Sequence, residues 1–224
     1  MIYITGDTHG EQARFYNEML LPNGRLGEKD YLIVCGDFGY IFSDDSSEAF
    51  FLDSLERVPY TILFVDGNHE NFPALFSYPE MEWHGGCVHR IRKNVFHLMR
   101  GEIFEIDGST FFVMGGAYSI DRYMRSEGVS WWPEELPCEL EYKRAVASLK
   151  EKDFKVDYIL THTMPREMIL RYGKNPDMHD MELTGFLEWI MYEVEYRHWF
   201  CGHWHDDRDL DDKFTILWHN FCVV

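Results

Sequence analysis

Short apolar runs along this chain end abruptly in polar residues. Five such runs cover Ile2–Thr5, Tyr31–Cys35, Thr61–Val65, Tyr158–Leu160 and His198–Cys201. Runs of this length are too short for helices and suit buried strands. Between the first three runs, the pattern favours helices near Gln12–Leu20 and Ser46–Arg57. The alternation of strand and helix predicts βαβ units in a mostly parallel sheet.

The middle of the chain has a different pattern, in which short apolar segments are separated by turn-like residues such as Asp107-Gly108. The segments are Val88–Arg92, Val95–Leu98, Glu102–Ile106 and Thr110–Met114. This spacing predicts an antiparallel meander. The residues that follow, Glu139–Lys150, predict an amphipathic helix. The whole order fits an α/β fold in which helices flank two sheets.

No repeat, low-complexity tract or Pro/Gly/Ser-rich linker divides the chain. Its 224 residues are enough for one α/β domain with a sizeable core. We therefore expect residues 1–224 to form a single domain. The stretch near residues 117–138 is polar and irregular, and we expect it to be an insertion that shapes a substrate cleft.

Composition narrows the possible partners. The formal net charge is −18, so a long polyanion would be repelled overall. A modest basic region is better explained as a solvated face than as a track for nucleic acid. It consists of Arg90, Arg92, Lys93 and Arg100. A site that holds divalent cations needs carboxylates, which accounts for part of the acidity.

The sequence also indicates the cellular compartment of the protein. No stretch approaches the ~18–20 apolar residues that span a membrane. The first residues, Met1–Thr5, lack the basic start and long apolar centre of a signal peptide. The five cysteines stand singly, which indicates neither a disulfide framework nor a thiolate zinc site. We therefore expect a cytoplasmic protein without a membrane partner.

The polar residues that follow the apolar runs include potential metal ligands. These are Asp7, His9, Asp37, Asn68, His162, His203 and His205. Loops at the carboxyl ends of parallel strands gather on one edge of the sheet, so we expect these residues to converge. Mixed nitrogen and oxygen donors favour Mn, Fe, Zn, Ni or Co over Ca or Mg alone. Glycines beside the ligands would let the backbone turn sharply and pack closely.

Five sequence blocks carry these residues. In chain order they are Gly6-Asp7-Thr8-His9-Gly10, Gly36-Asp37-Phe38-Gly39, Gly67-Asn68-His69-Glu70, Thr161-His162-Thr163 and Gly202-His203-Trp204-His205. Together they resemble the calcineurin-like metallophosphoesterase family, whose pattern is D-x-H, GD, GNH[E/D], a lone His and GH-x-H. One block alone would be a weak signal, but five in order at strand ends are a strong one.

The resemblance implies a four-layer α/β/β/α sandwich with two mixed β-sheets and two divalent metal ions. It implies a first metal held by Asp7, His9, Asp37 and His205. It implies a second metal held by Asp37, Asn68, His162 and His203. Asp37 would bridge the metals, and a metal-bridging hydroxide would be the nucleophile. His69 would not bind metal and would contact the phosphate or protonate the leaving oxygen.

Two further resemblances are looser. Protein Ser/Thr phosphatases share the GDxHG opening and GNHE, but their second block is GDxVDRG. This chain has Asp37-Phe38-Gly39-Tyr40-Ile41 there, which counts against a protein phosphatase. The GDF and GNHE blocks also resemble the lariat RNA debranching enzyme. That enzyme has Cys where this chain has Asp7, so a full two-metal site is better supported here.

The insertion near residues 117–138 holds the candidate substrate contacts, which are Arg122, Arg125, Trp131 and Trp132. The arginines could contact a phosphate, because arginine offers a planar fork of donors. The tryptophans could stack on a nucleobase. In the alternative interpretation, the tryptophans cover the core and the arginines pair with Glu127 or Glu134.

These observations favour a two-metal-dependent hydrolase of phosphate esters, with a slight lean towards phosphodiester or nucleotide substrates. The expected partner is a small phosphate ester or a nucleotide, and a short nucleic acid stays open. The first alternative is a phosphomonoesterase, including a protein phosphatase. The second is a non-catalytic interaction scaffold on the same fold, and a slow metal or nucleotide sensor is a third. The sequence gives neither the metal nor the oligomeric state.

Overall fold

A computed structural model describes residues 1–16, 26–43 and 45–224. In this part of the chain, one sheet is formed by β1 to β6 and β13. These strands are β1 Ile2–Thr5, β2 Tyr31–Cys35, β3 Thr61–Val65, β4 Glu80–Trp83, β5 Gly86–Arg92, β6 Val95–Leu98 and β13 Cys222–Val223. Their spatial order is β13-β1-β2-β3-β6-β5-β4. The central strands β1, β2, β3 and β6 are parallel, and the others pair antiparallel at the edges.

The second sheet is formed by β7 to β12. These strands are β7 Ile103–Ile106, β8 Ser109–Met114, β9 Tyr158–Thr161, β10 His198–Cys201, β11 Arg208–Asp211 and β12 Phe214–Ile216. Their order is β11-β12-β10-β9-β8-β7, with β8, β9, β10 and β12 parallel. Strands β7 and β11 pair antiparallel at the two edges. Both sheets are therefore mixed.

Helices cover the outer faces of both sheets. They are α1 Ala13–Tyr16, α2 Ser46–Leu55, α3 Phe72–Phe76, α4 Glu139–Glu151, α5 Arg166–Arg171 and α6 Met181–Glu193. Helices α1 to α3 pack on the first sheet and α4 to α6 on the second. None of the helices in the described part of the chain is long and apolar enough to cross a membrane.

Three apolar layers explain why the strands read as continuous hydrophobic runs. Tyr3 on β1 faces the helices on the first sheet, whereas its neighbours Ile2 and Ile4 face the space between the sheets. The inner layer joins residues such as Leu63 of β3 to residues such as Phe111 of β8. A strand buried on both faces needs apolar side chains at successive positions. The α/β/β/α sandwich predicted for the chain is confirmed.

The bounds predicted for five strands, each marked by a short apolar run, agree with the structure. Strands β1, β2, β3, β6 and β10 have the predicted bounds. The helix predicted over Ser46–Arg57 ends at Leu55. Of the helix predicted near Gln12–Leu20, the structure describes α1 at Ala13–Tyr16, and the prediction beyond that lies outside the described residues.

The single antiparallel meander predicted for the middle of the chain is wrong. Strand β6 lies parallel to β3 in the first sheet, while β7 pairs with β8 in the second. The chain crosses between the sheets at residues 99–102. Short apolar segments signal burial, but they do not say which sheet a strand will join.

A buried ion pair fixes this crossover. Arg100 is only 3% exposed, so it does not belong to the solvated basic face that the sequence suggested. Its Nε and Nη2 donate to Asp66 Oδ2 at 2.8 and 2.6 Å, and His97 Nε2 lies 3.0 Å from Asp66 Oδ1. Burial alone would raise the pKa of Asp66, but Arg100 and His97 hold it below its usual value. The pair ties the crossover to the end of β3.

Replacing Arg100 with alanine should lower the free energy of unfolding by about 3–5 kcal/mol, because Asp66 would stay buried without its partner. Urea unfolding followed by circular dichroism would measure the loss. Lys143→Ala, which breaks an exposed pair with Glu139, should cost less than about 1 kcal/mol. A cost for Arg100→Ala as small as that of this control would contradict the structural role of the pair.

Candidate metal centre

The polar blocks lie at the carboxyl ends of five parallel strands. Those after β1, β2 and β3 come from the first sheet, and those after β9 and β10 come from the second. Because β1, β2 and β3 are parallel to one another, as are β9 and β10, the carboxyl ends of these strands share one edge of their sheet. The contacts described below bring all seven predicted ligand residues together at this edge.

One group of donor atoms comes from Asp7, His9, Asp37 and His205. One atom from each of the four lies within 4.8 Å of the atoms from the other three. The Nε2 atoms of His9 and His205 are 2.9 Å apart, and His9 Nε2 is 3.7 Å from Asp37 Oδ2. This spacing suits donors that share one cation.

A second group centres on His162 Nε2. This atom lies 3.0 Å from Asn68 Oδ1, 3.2 Å from His203 Nδ1 and 3.5 Å from Asp37 Oδ1. His162 Nδ1 lies 2.9 Å from the Cys35 carbonyl and can donate to it, which orients Nε2 towards the group. Asp37 therefore presents one oxygen to each group.

The backbone at four of these residues adopts a left-handed conformation. The φ angles are 43° at His9, 48° at Asp37, 69° at His203 and 47° at His205. Such angles are unfavourable for residues with a Cβ, and they concentrate at functional sites. Loop hydrogen bonds hold them, since the His9 amide donates to the Asp37 carbonyl at 2.8 Å and the His203 amide donates to the Asp7 carboxylate.

Two glycines allow the ligands to approach the backbone, as their positions in the sequence blocks indicated. A Cβ at Gly36, where φ is +92°, would lie 1.9 Å from His162 Nδ1. A Cβ at Gly67 would lie 2.2 Å from Asp37 Oδ1. A side chain at either position would push a donor out of place.

Burial dominates the electrostatics of the donors. It raises the pKa of Asp7 to about 7, with His162 opposing the shift and Asp37 adding to it. It lowers the pKa of His9 to about 4 and that of His203 to about 3. Burial would also raise the pKa of Asp37, but neighbouring imidazoles, His162 first, hold it below its usual value.

This donor set fits a divalent cation. It combines imidazole nitrogens with carboxylate and amide oxygens, as first-row transition metals accept. Two buried carboxylates side by side are costly without positive charge nearby. The chemistry of the donors therefore agrees with a metal site, and the role of each residue as a ligand stays a prediction.

His69 lies beside the donors without joining them. Its ring centroid is 5.4 Å from that of His9. The Arg125 guanidinium lies along the ring, with Nη1 3.1 Å from Nδ1 and Nη2 3.1 Å from Nε2, and Arg125 also pairs with Asp121 at 2.8 Å. Burial lowers the pKa of His69; Asp37 opposes this shift and Arg125 adds to it. The structure thus places Arg125 at the site.

The other predicted substrate contacts lie elsewhere. Arg122 pairs with buried Glu135 at 2.7 Å, and its guanidinium is 4.1 Å from the Trp131 ring centroid. Trp132 is 3% exposed and packs edge-on against Phe42, so it cannot stack on a substrate. The alternative interpretation holds for Trp132. The predicted arginine partners were wrong, because Glu135 and Asp121 take the place of Glu127 and Glu134.

The sequence reading missed buried residues that hold the ligands in place. Glu70, the last residue of GNHE, accepts the amides of Phe38 at 2.8 Å and Gly67 at 2.7 Å. These bonds join the loops after β2 and β3. The position of Glu70 in its block was the available signal.

Ser119 and Glu135 are both buried, and they orient the side-chain amide of Asn68. Asn68 Nδ2 donates to Ser119 Oγ at 3.0 Å, and Ser119 Oγ donates to Glu135 Oε2 at 2.8 Å. This leaves the Asn68 carbonyl oxygen facing His162. Nothing in the local sequence marks this role, because Ser119 and Glu135 are far from every ligand block.

The candidate centre opens into a cavity of about 730 Å³. Its described lining includes His69 and Arg125 near the donors, together with residues of the insertion and of the segment between α5 and α6. A volume of this size is typical of sites for small ligands, which occupy roughly 300–1,000 Å³.

Comparison with known proteins gives a family match and a more distant relative. The calcineurin-like phosphoesterase family matches residues 1–207. A lariat debranching enzyme from Caenorhabditis briggsae is 26% identical over 133 residues, which are 53% of this chain and 25% of the relative. The matched part therefore spans only a quarter of that relative's length.

Ser119→Ala should weaken divalent-metal binding by about 10-fold or more, because the Asn68 amide would lose the acceptor that orients it. Calorimetric titration of the stripped protein with Mn²⁺ would measure the change without recourse to activity. Ser126→Ala, an exposed change in the same insertion, is the matched control. Equal Mn²⁺ affinity in both variants would show that Ser119 does not position Asn68.

Proposed function

This chain belongs to the calcineurin-like phosphoesterase family, and on that premise we propose that it hydrolyses phosphate esters with two divalent cations. The observation that carries the proposal is the pair of donor groups that share Asp37. Its Oδ2 faces His9, and its Oδ1 faces His162. The cations would supply a nucleophile near neutral pH and offset charge on the phosphoryl oxygens.

The residues of the chain would divide the remaining work. Asp7, His9 and His205 would complete the first cation site with Asp37, and Asn68, His162 and His203 the second. Asp7, Asp37 and His162 are buried, and this low exposure strengthens the electrostatic contacts that they make. The strained backbone and the buried hydrogen bonds behind it favour a site preorganised before substrate arrives.

His69 and Arg125 are the proposed substrate contacts. The Arg125 guanidinium would bind a phosphoryl oxygen, with Asp121 holding its orientation. His69 would then hydrogen-bond the phosphate or give a proton to the leaving oxygen. The contact of Arg125 with His69 favours the neutral imidazole, so proton donation would need Arg125 to shift towards the phosphate.

A phosphodiester or nucleotide substrate is favoured over a monoester. Among the described residues that line the cleft, the arginine and lysine side chains are Arg125 and Lys174. The acidic ones are Asp37, Asp121, Asp177 and Asp180. A diester carries less negative charge than a monoester and needs fewer cationic contacts. The likeness to a lariat debranching enzyme supports a substrate made of nucleotides.

We also propose that residues 1–224 act as one domain. Strand β13, which lies beyond the matched residues 1–207, pairs with β1 in the first sheet. The insertion supplies one wall of the cleft through Tyr118, Asp121 and Arg125. This arrangement supports an insertion that shapes the substrate site.

Asp37→Ala should reduce hydrolysis of bis-p-nitrophenyl phosphate by at least about 100-fold, because it removes the carboxylate shared by both donor groups. The assay would use protein stripped and reloaded with Mn²⁺, Fe²⁺, Ni²⁺ or Zn²⁺. Asp53→Ala, at an exposed carboxylate, is the control. No turnover by wild-type protein with any of these metals, on this ester or on p-nitrophenyl phosphate, would contradict the proposed hydrolysis.

Arg125→Ala should lower kcat/KM for bis-p-nitrophenyl phosphate by about 10–100-fold, since it removes a charged hydrogen bond to the phosphate. Metal content should stay at the wild-type level, as measured by elemental analysis. Arg197→Ala, at an exposed arginine just before β10, provides the comparison. Unchanged kcat/KM in Arg125→Ala would remove Arg125 from the substrate site.

A further inference from the structure

The cavity at the donors is also lined by four side chains that we call the chamber. We define this chamber by Tyr118, Tyr172, Asp180 and Trp204, which line the same cavity as the donors. Tyr172 and Asp180 belong to the connection between α5 and α6, and Trp204 lies between two of the proposed ligands. A group esterified to the phosphate could therefore reach the chamber while the phosphate lies at the donors.

Asp180 has a buried carboxylate oxygen without a partner. The residue is 6% exposed, and its Oδ1 accepts no hydrogen bond from the described residues. Asp180 occupies the N-cap position of α6, where aspartate usually accepts backbone amides, yet its side chain caps nothing. Leaving such an oxygen unpaired is costly, so its place in the cleft wall favours a ligand that donates hydrogen bonds.

Trp204 adds an unpartnered donor. Its Nε1 is buried and donates to no acceptor among the described residues. The rings of Tyr172 and His203 meet the indole at steep angles of 72° and 88°, so neither stacks flat on it. The chamber therefore combines an acceptor, a donor and an aromatic ring.

A column of planar groups stiffens the chamber wall. The Tyr118 ring stacks on His179 with centroids 4.5 Å apart and planes 9° apart. The Arg122 guanidinium is 4.3 Å from the Tyr118 centroid and 4.1 Å from the Trp131 centroid. The column joins the insertion to the α5–α6 connection. Arg122 and Trp131 therefore support the cleft wall without lining the cavity.

We propose that the chamber binds the nucleobase of the substrate and that it prefers guanine. Asp180 would accept the N1–H and the 2-amino group of guanine, and Trp204 would donate to an acceptor on the base. Flipped or free bases are read by such edge contacts together with aromatic stacking. The proposal rests on the proposed function, because the base would belong to the ester that is hydrolysed.

Guanine fits this wall better than the other bases. It presents two adjacent donors to one carboxylate, whereas the corresponding edge of adenine sets an acceptor beside its amino group. A pyrimidine such as thymine offers a single N–H between two carbonyls. Asp180 can rotate about χ2, which is a soft torsion in aspartate, to turn an oxygen towards the base.

Binding of nucleosides tests the chamber without using catalysis. Calorimetry should give a Kd for guanosine at least about 10-fold lower than that for adenosine or for inosine, which lacks the 2-amino group. Asp180→Asn and Trp204→Phe should each weaken guanosine binding by about 10-fold. Asp212→Asn, an exposed change at the β11–β12 turn, should bind guanosine like the wild type.

Hydrolysis then links the chamber to the reaction. The p-nitrophenyl ester of guanosine 5′-phosphate should exceed the adenosine and thymidine esters by about 10-fold in kcat/KM, and Asp180→Asn should bring the ratio close to one. Equal binding of guanosine, adenosine and inosine by wild-type protein would overturn the proposal even if either variant failed to fold. So would a preference for p-nitrophenylphosphorylcholine over every nucleotide ester.

The outcomes separate the two proposals. Hydrolysis of bis-p-nitrophenyl phosphate without any preference among nucleosides would retain the proposed function and reject the base chamber. Selective guanosine binding that depends on Asp180, without turnover of any ester, would retain the chamber and reject hydrolysis.

Discussion

The candidate centre depends on burying one carboxylate, that of Asp37, between the edges of two sheets. Its Oδ1 accepts the His69 amide at 2.9 Å and lies 3.5 Å from His162 Nε2, while its Oδ2 faces His9. A buried anion is costly unless hydrogen bonds and positive charge surround it. The loops that carry the other donors are therefore shaped around this residue, and a cation is the natural complement to the whole group.

A second layer of buried acids holds that geometry. Glu70 joins the loops after β2 and β3, and Asp66 with Arg100 fixes the crossover between the sheets. Glu135 holds Ser119 and, through it, the Asn68 amide. These groups have no proposed contact with substrate. Their hydrogen bonds and ion pairs hold the ligand residues in fixed positions. They also connect the insertion to the centre whose cavity it lines.

The strand ends and the order of the polar blocks could be read from the sequence because both are local signals. A run such as Ile2–Thr5 reports its own burial, and a block such as Gly36-Asp37 reports a sharp turn beside a polar residue. The same kind of signal failed for β6 and β7. Both are short and apolar, and only packing against β3 or β8 assigns each of them to its sheet.

By itself, the sequence determined the class of fold, the likeness to a phosphoesterase family and the residues expected at the centre. The tertiary structure decided which of the neighbouring residues share that centre. It buried Trp132 in the core, brought Arg125 to His69, and placed Asp180 and Trp204 on one cavity. These outcomes depend on contacts between residues distant in sequence, and such contacts follow from how whole layers pack, which no local pattern records.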